Sequence, residues 1–222
     1  MSFLTHTSEN VLWMSSSLLD GSDVRHGFST RIGGVSPAPW DSLNLGVGRG
    51  DDMDRVRENY RRFCAALGVD EHRAVLSKQV HEDNVRHVTA EDCGKGLFRD
   101  RDYTSVDAMV TDTPGIPLVV FSADCGIILL HDPVRRAVGA AHAGWRGTAA
   151  GIVERAASYT KPSAGCRSCS ARTQGTCGPP SGRPSAPAVL KRTRTCPRLW
   201  RPPWGRRRSR ISPAGGPSGT WT

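Results

Sequence analysis

Apolar residues in the first part of the chain come in short runs separated by polar ones. Between Met1 and Phe28 the runs Val11-Leu12-Trp13, Leu18-Leu19 and Val24 to Phe28 are too short for helices and predict short strands. Ser29 to Asp51 is rich in Gly, Pro and Ser and predicts one long loop, a kind of segment that is usually functional or disordered. The period then changes. Over Asp51 to Leu67, Val56, Tyr60, Phe63 and Leu67 recur on one helical face, two Asp stand at the start, and Gly68 supplies the stop. Strands are expected over Ala74 to Val80, Val85 to Thr89, Val106 to Thr111 and Ile116 to Ser122. Gly126 to Leu130 and Arg136 to Ala141 flank the turn signal Asp132-Pro133 and predict a hairpin. A second helix is expected over Thr148 to Ala157, with Thr148 as its N-cap and Ile152 facing inward. Strands interleaved with helices give an α/β or α+β domain.

After Ala157 this patterning stops. From Lys161 onward neither period is present, aliphatic residues are sparse, and clusters such as Arg206-Arg207-Arg208 appear. Such a segment buries too little apolar surface to offset its ordering entropy and is expected to be disordered. The organisation read from the pattern is therefore a folded body, 1–157, and a basic tail, 158–222.

Charge sharpens that division. The 222 residues carry a net charge of +9, which alone would suggest a nucleic-acid partner. All 21 acidic residues lie at or before Glu154, with 16 of the 30 Lys and Arg, so the body is near −5 and the remainder +14. A mildly acidic body argues against nucleic acid. No run of 18 apolar residues predicts a membrane span, and no secretory signal is visible at the start. Cys64, Cys93 and Cys125 are too dispersed for a disulfide framework, which suits a reducing cytoplasm.

Three clusters carry candidate chemistry: Lys78-Gln79-Val80-His81, Ser122-Ala123-Asp124-Cys125, and Ala141-His142-Ala143-Gly144-Trp145-Arg146-Gly147. If His131 pairs with Arg136 across the Asp132 turn, Cys125 lies directly opposite His142, with Cβ atoms about 5 Å apart. A thiolate beside an imidazole can bind Zn²⁺ or a similar ion with a third ligand, for which His81 is the candidate. The same pair can instead make Cys125 a nucleophile activated by histidine. Against both stands the plainer reading of Cys125 as a packed small residue and His142 as part of the polar surface beside a turn. Arg31 and Arg146 suit a phosphate, and Gly33-Gly34 would let backbone approach a ligand.

His26-Gly27-Phe28-Ser29-Thr30-Arg31-Ile32-Gly33-Gly34-Val35-Ser36, Asn44-Leu45-Gly46, Gln79-Val80-His81, Asp107-Ala108, Ala123-Asp124-Cys125 and His142-Ala143-Gly144-Trp145-Arg146-Gly147 follow in a distinctive order. In that order and spacing the chain, from about Val24 to Ala157, resembles the polyphenol oxidoreductase (laccase-domain) family. That family is also described as purine nucleoside phosphorylase and peptidoglycan editing factor. The resemblance implies a three-layer α/β sandwich of the laccase-domain, cysteine-hydrolase-like type. It also implies a zinc site, or sometimes copper, at His81, Cys125 and His142, the same residues being the catalytic candidates. Arg31, Asn44 and Arg146 would contact substrate. The implied activities are phosphorolysis of adenosine, inosine and methylthioadenosine, and adenosine deamination. The implied partners are a nucleoside and phosphate, with neither nucleic acid nor membrane. The alternatives are a Cys-dependent hydrolase editing peptidoglycan precursors, or a polyphenol oxidase. The chain departs from the family pattern at Glu82, where Gly is usual, and at Gly126-Ile127-Ile128, where Leu-Pro-Val or similar is usual.

The genetic code explains the tail. New codons can be built from the third base of each codon and the first two bases of the next. Over Cys177 to Pro197 they permit RAAIGPSIGACCFETDEDVP, and over Pro217 to Thr222 they permit KWHVD. Both resemble segments expected in the family's second half. The tail therefore reads as out of frame, with the slip between Glu154 and Gly165. On that reading Cys166-x-x-Cys169, the Arg206 to Arg210 run and the Pro-Arg-Leu-Trp segment are by-products of the shifted frame, not motifs.

Overall fold

A computed structural model of the chain describes residues 2–20, 23–159 and 186–187. Apart from the last turn of a helix that ends at Tyr159 and residues 186–187, the tail and its expected disorder lie outside the described residues. In chain order the elements are β1 (Phe3–Ser8), β2 (Val11–Ser16), β3 (Val24–Arg25), β4 (Phe28–Ser29), α1 (Met53–Leu67), β5 (Val75–Leu76) and β6 (Val85–His87). They continue with β7 (Ala108–Thr111), β8 (Leu118–Val119), β9 (Gly126–Asp132), β10 (Ala137–Ala143), α2 (Trp145–Ala149), α3 (Ile152–Tyr159) and β11 (Ala186–Pro187).

The chain opens with the expected short strands. Glu9 (φ 48°) and Asn10 (φ 68°) form a two-residue turn that sets Ser8 opposite Val11. Positive φ at both positions matches the twist of the strands that such turns join. β4 adds to β2 to complete a three-stranded sheet, and β11 pairs in parallel with β3.

α1 has both of its expected ends. The Asp52 carboxylate caps the Asp54 N–H, and Gly68, at φ 69°, closes the helix. The Gly68 N–H reaches Ala65 O and the Val69 N–H reaches Cys64 O, the paired bonds of a left-handed glycine cap. Val56, Tyr60, Cys64 and Leu67 form the buried face. Phe63 is only half-buried.

The central sheet runs β6-β7-β10-β9, with β6 and β7 parallel and the other pairs antiparallel. Alternation along its strands gives it two apolar faces. Ala108, Val110 and Ala141 pack on Ile152 and Ala156 of α3. Met109, Val138 and Ala140 face the other way, onto Val75, Val88, Ile116 and Leu118. Beyond these, Val56, Tyr60 and Cys64 of α1 cover Ala74 and Leu76. The strands thus lie between α3 and α1, in the α/β layering that the resemblance implied. Ile152 is fully buried, and such burial of one side chain contributes about 2 kcal/mol.

Three local expectations are corrected. In the β9–β10 hairpin Ala137 faces Asp132, so His142 pairs with Ile127 and Cys125 falls beyond the last pair, Gly126 with Ala143. The Asp132 carboxylate accepts the Val134 and Arg135 N–H groups, and Arg136 takes φ 56°. Arg136 therefore belongs to the turn, not to the strand. The expected second helix is two helices broken at Gly151 (φ 82°), starting at Trp145 behind Gly144. Thr148 is accordingly inside α2 and bonds back to Ala143 O instead of capping. Finally, the strands around Ala74 to Val80 and Ile116 to Ser122 shrink to two residues each, since only β5 and β8 form a ladder there and Lys78 adds a single bridge to Val106.

Candidate metal centre

The site forms where β10, the turn after β5 and the segment before β9 converge. Its buried reference point is Asp107, which is fully inaccessible. The Asp107 carboxylate accepts backbone N–H groups from Val80 (3.0 Å), His81 (3.0 Å) and Glu82 (3.2 Å). It also lies 2.9 Å from His142 Nδ1. An ionised carboxylate can only accept, so Nδ1 is the donor in this contact and Nε2 is the ring nitrogen left over for a ligand. His81 has φ 67°, a left-handed conformation that costs a non-glycine residue about 1–2 kcal/mol. Three converging N–H bonds to one carboxylate hold it there.

His142 is on the sheet face away from α3 and is buried, His81 is exposed, and Cys125 is intermediate. Their ligand atoms all lie within 4.8 Å of one another, and the two imidazole rings meet edge-on with centroids 4.7 Å apart. The shifted hairpin register does not separate Cys125 from His142, because the chain entering β9 bends back beside Gly144. The Ser122 hydroxyl donates to Cys125 O within that bend. Gln79 ties the Cys125 segment to the His81 segment. Its amide oxygen accepts the Phe121 N–H (2.7 Å), and its amide nitrogen donates to Phe121 O (2.8 Å).

These residues suit a divalent metal. Two imidazoles and a thiol form a borderline-soft donor set, and four-coordinate ligands at 2.0–2.3 Å stand about 3.3–3.8 Å apart. The space between them is kept free by Gly144. A Cβ there would lie 3.0 Å from His81 Cδ2, 3.4 Å from Cys125 Sγ and 3.6 Å from His142 Cε1. Gly147, further along α2, lets that helix close on the Glu82 carbonyl, which a Cβ would meet at 2.8 Å. Arg155 of α3 pairs with Asp83 and braces the same turn. Burial and the neighbouring Asp124 carboxylate push the Cys125 thiol up from its ordinary value. That is the opposite of the depression typical of an activated nucleophile.

The substrate candidates are arranged differently. Arg31 and Asn44 line one open pocket of about 500 Å³, with Trp40, Leu45 and Phe121. Phe121 is the residue whose backbone Gln79 holds, so one wall of this pocket is tied to the segment that bears His81. The Asn44 side chain braces the pocket wall, donating to Asp51 (2.8 Å) and accepting the Gly46 N–H (2.9 Å). Arg31 is largely exposed and pairs with Asp41. Arg146 is exposed on α2, its guanidinium 5.3 Å from the Trp145 ring centroid. Gly33 and Gly34 approach protein, not an open ligand space. Cβ atoms there would lie 2.4 Å from Asn10 O and 1.9 Å from Ser42 O.

A family model for multi-copper polyphenol oxidoreductase laccase matches residues 25–181. The chain belongs to this family. A purine nucleoside phosphorylase of Deinococcus radiodurans is 43% identical over 132 residues, covering 60% of this chain and 48% of that protein. The purine nucleoside phosphorylase YfiH of Escherichia coli is 43% identical over 132 residues, covering 59% of this chain and 50% of that protein. Among solved structures, YlmD from Geobacillus stearothermophilus superposes with a TM-score of 0.59 at 36% identity, over 69% of this chain and 56% of that one. The Bacillus licheniformis hypothetical protein YfiH gives 0.59 at 32% identity, over 71% and 58%. The chain spans about half the length of the curated relatives it matches. No helix among the described residues is long and apolar enough to cross a membrane.

Sequence reasoning placed Asp107-Ala108 in the family pattern but gave Asp107 no role in the site. The available signal was an acid set between Val106 and Ala108 at the start of an apolar strand, where an unpaired charge would be costly.

Proposed function

We propose that this chain carries the metal-binding part of a purine nucleoside phosphorylase, with His81, Cys125 and His142 as its ligands and zinc, or alternatively copper, as its metal. The observation that carries the proposal is the convergence of two imidazoles and one thiol within 4.8 Å. A Cys–His hydrolase would need only one of those histidines. The relatives' shared name supplies the reaction class, in which phosphate displaces the base from a nucleoside to give free purine and ribose 1-phosphate. A bound ion supplies a Lewis-acid position there. Arg146 and Arg31 would hold the phosphate dianion in the bidentate manner that guanidinium favours. Adenosine, inosine and methylthioadenosine are the proposed nucleosides, and adenosine deamination a second activity at the same centre. The three free cysteines among the described residues suit the cytoplasm.

We further propose that 158–222 is an out-of-frame record of the second half, so the 222-residue chain is inactive and weakly stable. One base restored between codons 154 and 165 should regenerate that half. The test compares the chain with its frame-restored form by phosphate-dependent release of ribose 1-phosphate from adenosine and inosine. Turnover by the restored protein alone, lost in His142→Ala, is expected. No release by the metal-loaded restored protein would refute the phosphorylase reading, and a cooperative, fully active 222-residue chain would refute the frame reading.

A further inference from the structure

We propose that Asp107 is the positioning residue that sets both imidazoles of the metal centre, and sets His142 to ligate through Nε2. The inference rests on the reading of His81, Cys125 and His142 as metal ligands. Asp107 is fully buried, and no Lys or Arg pairs with it among the described residues. Its carboxylate is met by the N–H groups of Val80, His81 and Glu82 and by the His142 ring.

Those donors divide into two sets with one consequence. The three backbone groups wrap the 80–82 segment around the carboxylate and hold the left-handed residue that bears one ligand ring. The ring contact fixes the rotation and tautomer of the other ligand. Asp107 is itself held through its backbone. Its N–H donates to Asn84 O (3.1 Å), and its C=O accepts the His142 N–H (2.8 Å). The two ligands are thus referred to one rigid group although 61 positions separate them in sequence. Glu82 fastens the same turn from outside, its carboxylate accepting from Ser105 Oγ (2.7 Å) and Asn84 Nδ2 (2.8 Å). A residue that merely stapled the turn would have no use for the His142 ring. A carboxylate on the far nitrogen of a metal-bound histidine is the outer partner that orients such ligands and raises their basicity.

The test is a zinc titration of the full 222-residue chain against a chromophoric chelator, repeated for Asp107→Asn. The substitution keeps the volume but replaces one acceptor oxygen with a donor that faces N–H groups. The expected result is an affinity about 10–100-fold weaker at unchanged stoichiometry. A second measurement needs no variant. ¹⁵N-histidine spectra of the zinc-loaded chain should show His142 protonated on Nδ1 and metal-bound through Nε2. Zinc bound at Nδ1, or wild-type affinity in folded Asp107→Asn, overturns the positioning role while leaving the metal site intact. If neither the unmodified chain nor its frame-restored form binds zinc or copper, the metal reading itself is overturned, and this inference with it.

Discussion

Asp92 and Asp107 are both buried and both accept several hydrogen bonds, yet their partners are of different kinds. Asp92 accepts from Lys95 Nζ and Arg86 Nη2, each at 2.7 Å, and from the Thr89 N–H at 2.9 Å. Asp102 adds a second carboxylate to the same two cations. Burial pushes the Asp92 carboxyl up, but Lys95, the Thr89 N–H and Arg86 together hold it down at about 2. Charge there is balanced within the cluster, which fastens one loop. Asp107 instead meets three backbone N–H groups and one imidazole, the His142 ring, which stands with His81 and Cys125 in the candidate metal cluster. In the Asp92 network the charges of Asp92 and Asp102 answer those of Lys95 and Arg86. A carboxylate that orients an imidazole toward a further side chain instead marks a candidate site, and the difference separates scaffold from site.

The largest effect that would sharpen this contrast is on metal content. His142→Ala should take the chain from stoichiometric zinc to none by atomic emission, while Asp92→Asn keeps its zinc; equal content in both would erase the distinction. Next in size is the scaffold. Asp92→Ala leaves Lys95 and Arg86 with only the exposed Asp102, and breaking a buried pair costs about 3–5 kcal/mol. Urea unfolding of the frame-restored protein should register that loss with zinc affinity unchanged, and a parallel fall in affinity would show the two clusters to be coupled.

A smaller effect follows from pH. The Asp92 carboxyl titrates at about 2 in the folded chain against an ordinary value of 3.8, so its contribution is complete above about pH 4 and drains away as pH falls toward 2. The shift corresponds to about 2 kcal/mol, which Asp92→Asn should remove from the acid limb of the stability curve. An identical acid limb in the variant would show that the cluster does not govern acid sensitivity. Smallest is Gly144→Ala, whose new methyl carbon would press on His81 Cδ2 at 3.0 Å. Crowding of about 1 kcal/mol, at the low end for overpacking, should weaken zinc about 5-fold with little change in melting temperature. Unchanged affinity would mean the ring moves freely and the site is less rigid than Asp107 makes it.

Much of this was legible along the chain. α1 was readable because its period, its Asp52 cap and its Gly68 stop all act within a few residues. His81, Cys125 and His142 were readable as a triad because each sits in a compact cluster of distinctive neighbours. The hairpin register was not. Whether Arg136 belongs to turn or strand depends on a left-handed φ that nothing in Asp132-Pro133-Val134-Arg135 announces. The break at Gly151 was missed for a related reason. An isolated glycine in a helical stretch can be tolerated, and only packing shows that this one stops the helix.

What the sequence determined by itself is what local chemistry can specify: which segments are apolar and at what period, where α1 begins and ends, and which side chains can ligate a metal. It also carries, in its codon constraints, the case for a shifted frame after Glu154. The tertiary structure decided how those side chains meet. Cys125 reaches His142 by a bend beside Gly144 and not across a ladder pair, and Asp107 collects donors from Val80, His81, Glu82 and His142. The physical reason is that a buried carboxylate must find donors wherever the fold brings them. Its partners are therefore chosen by proximity in space, which no local pattern encodes.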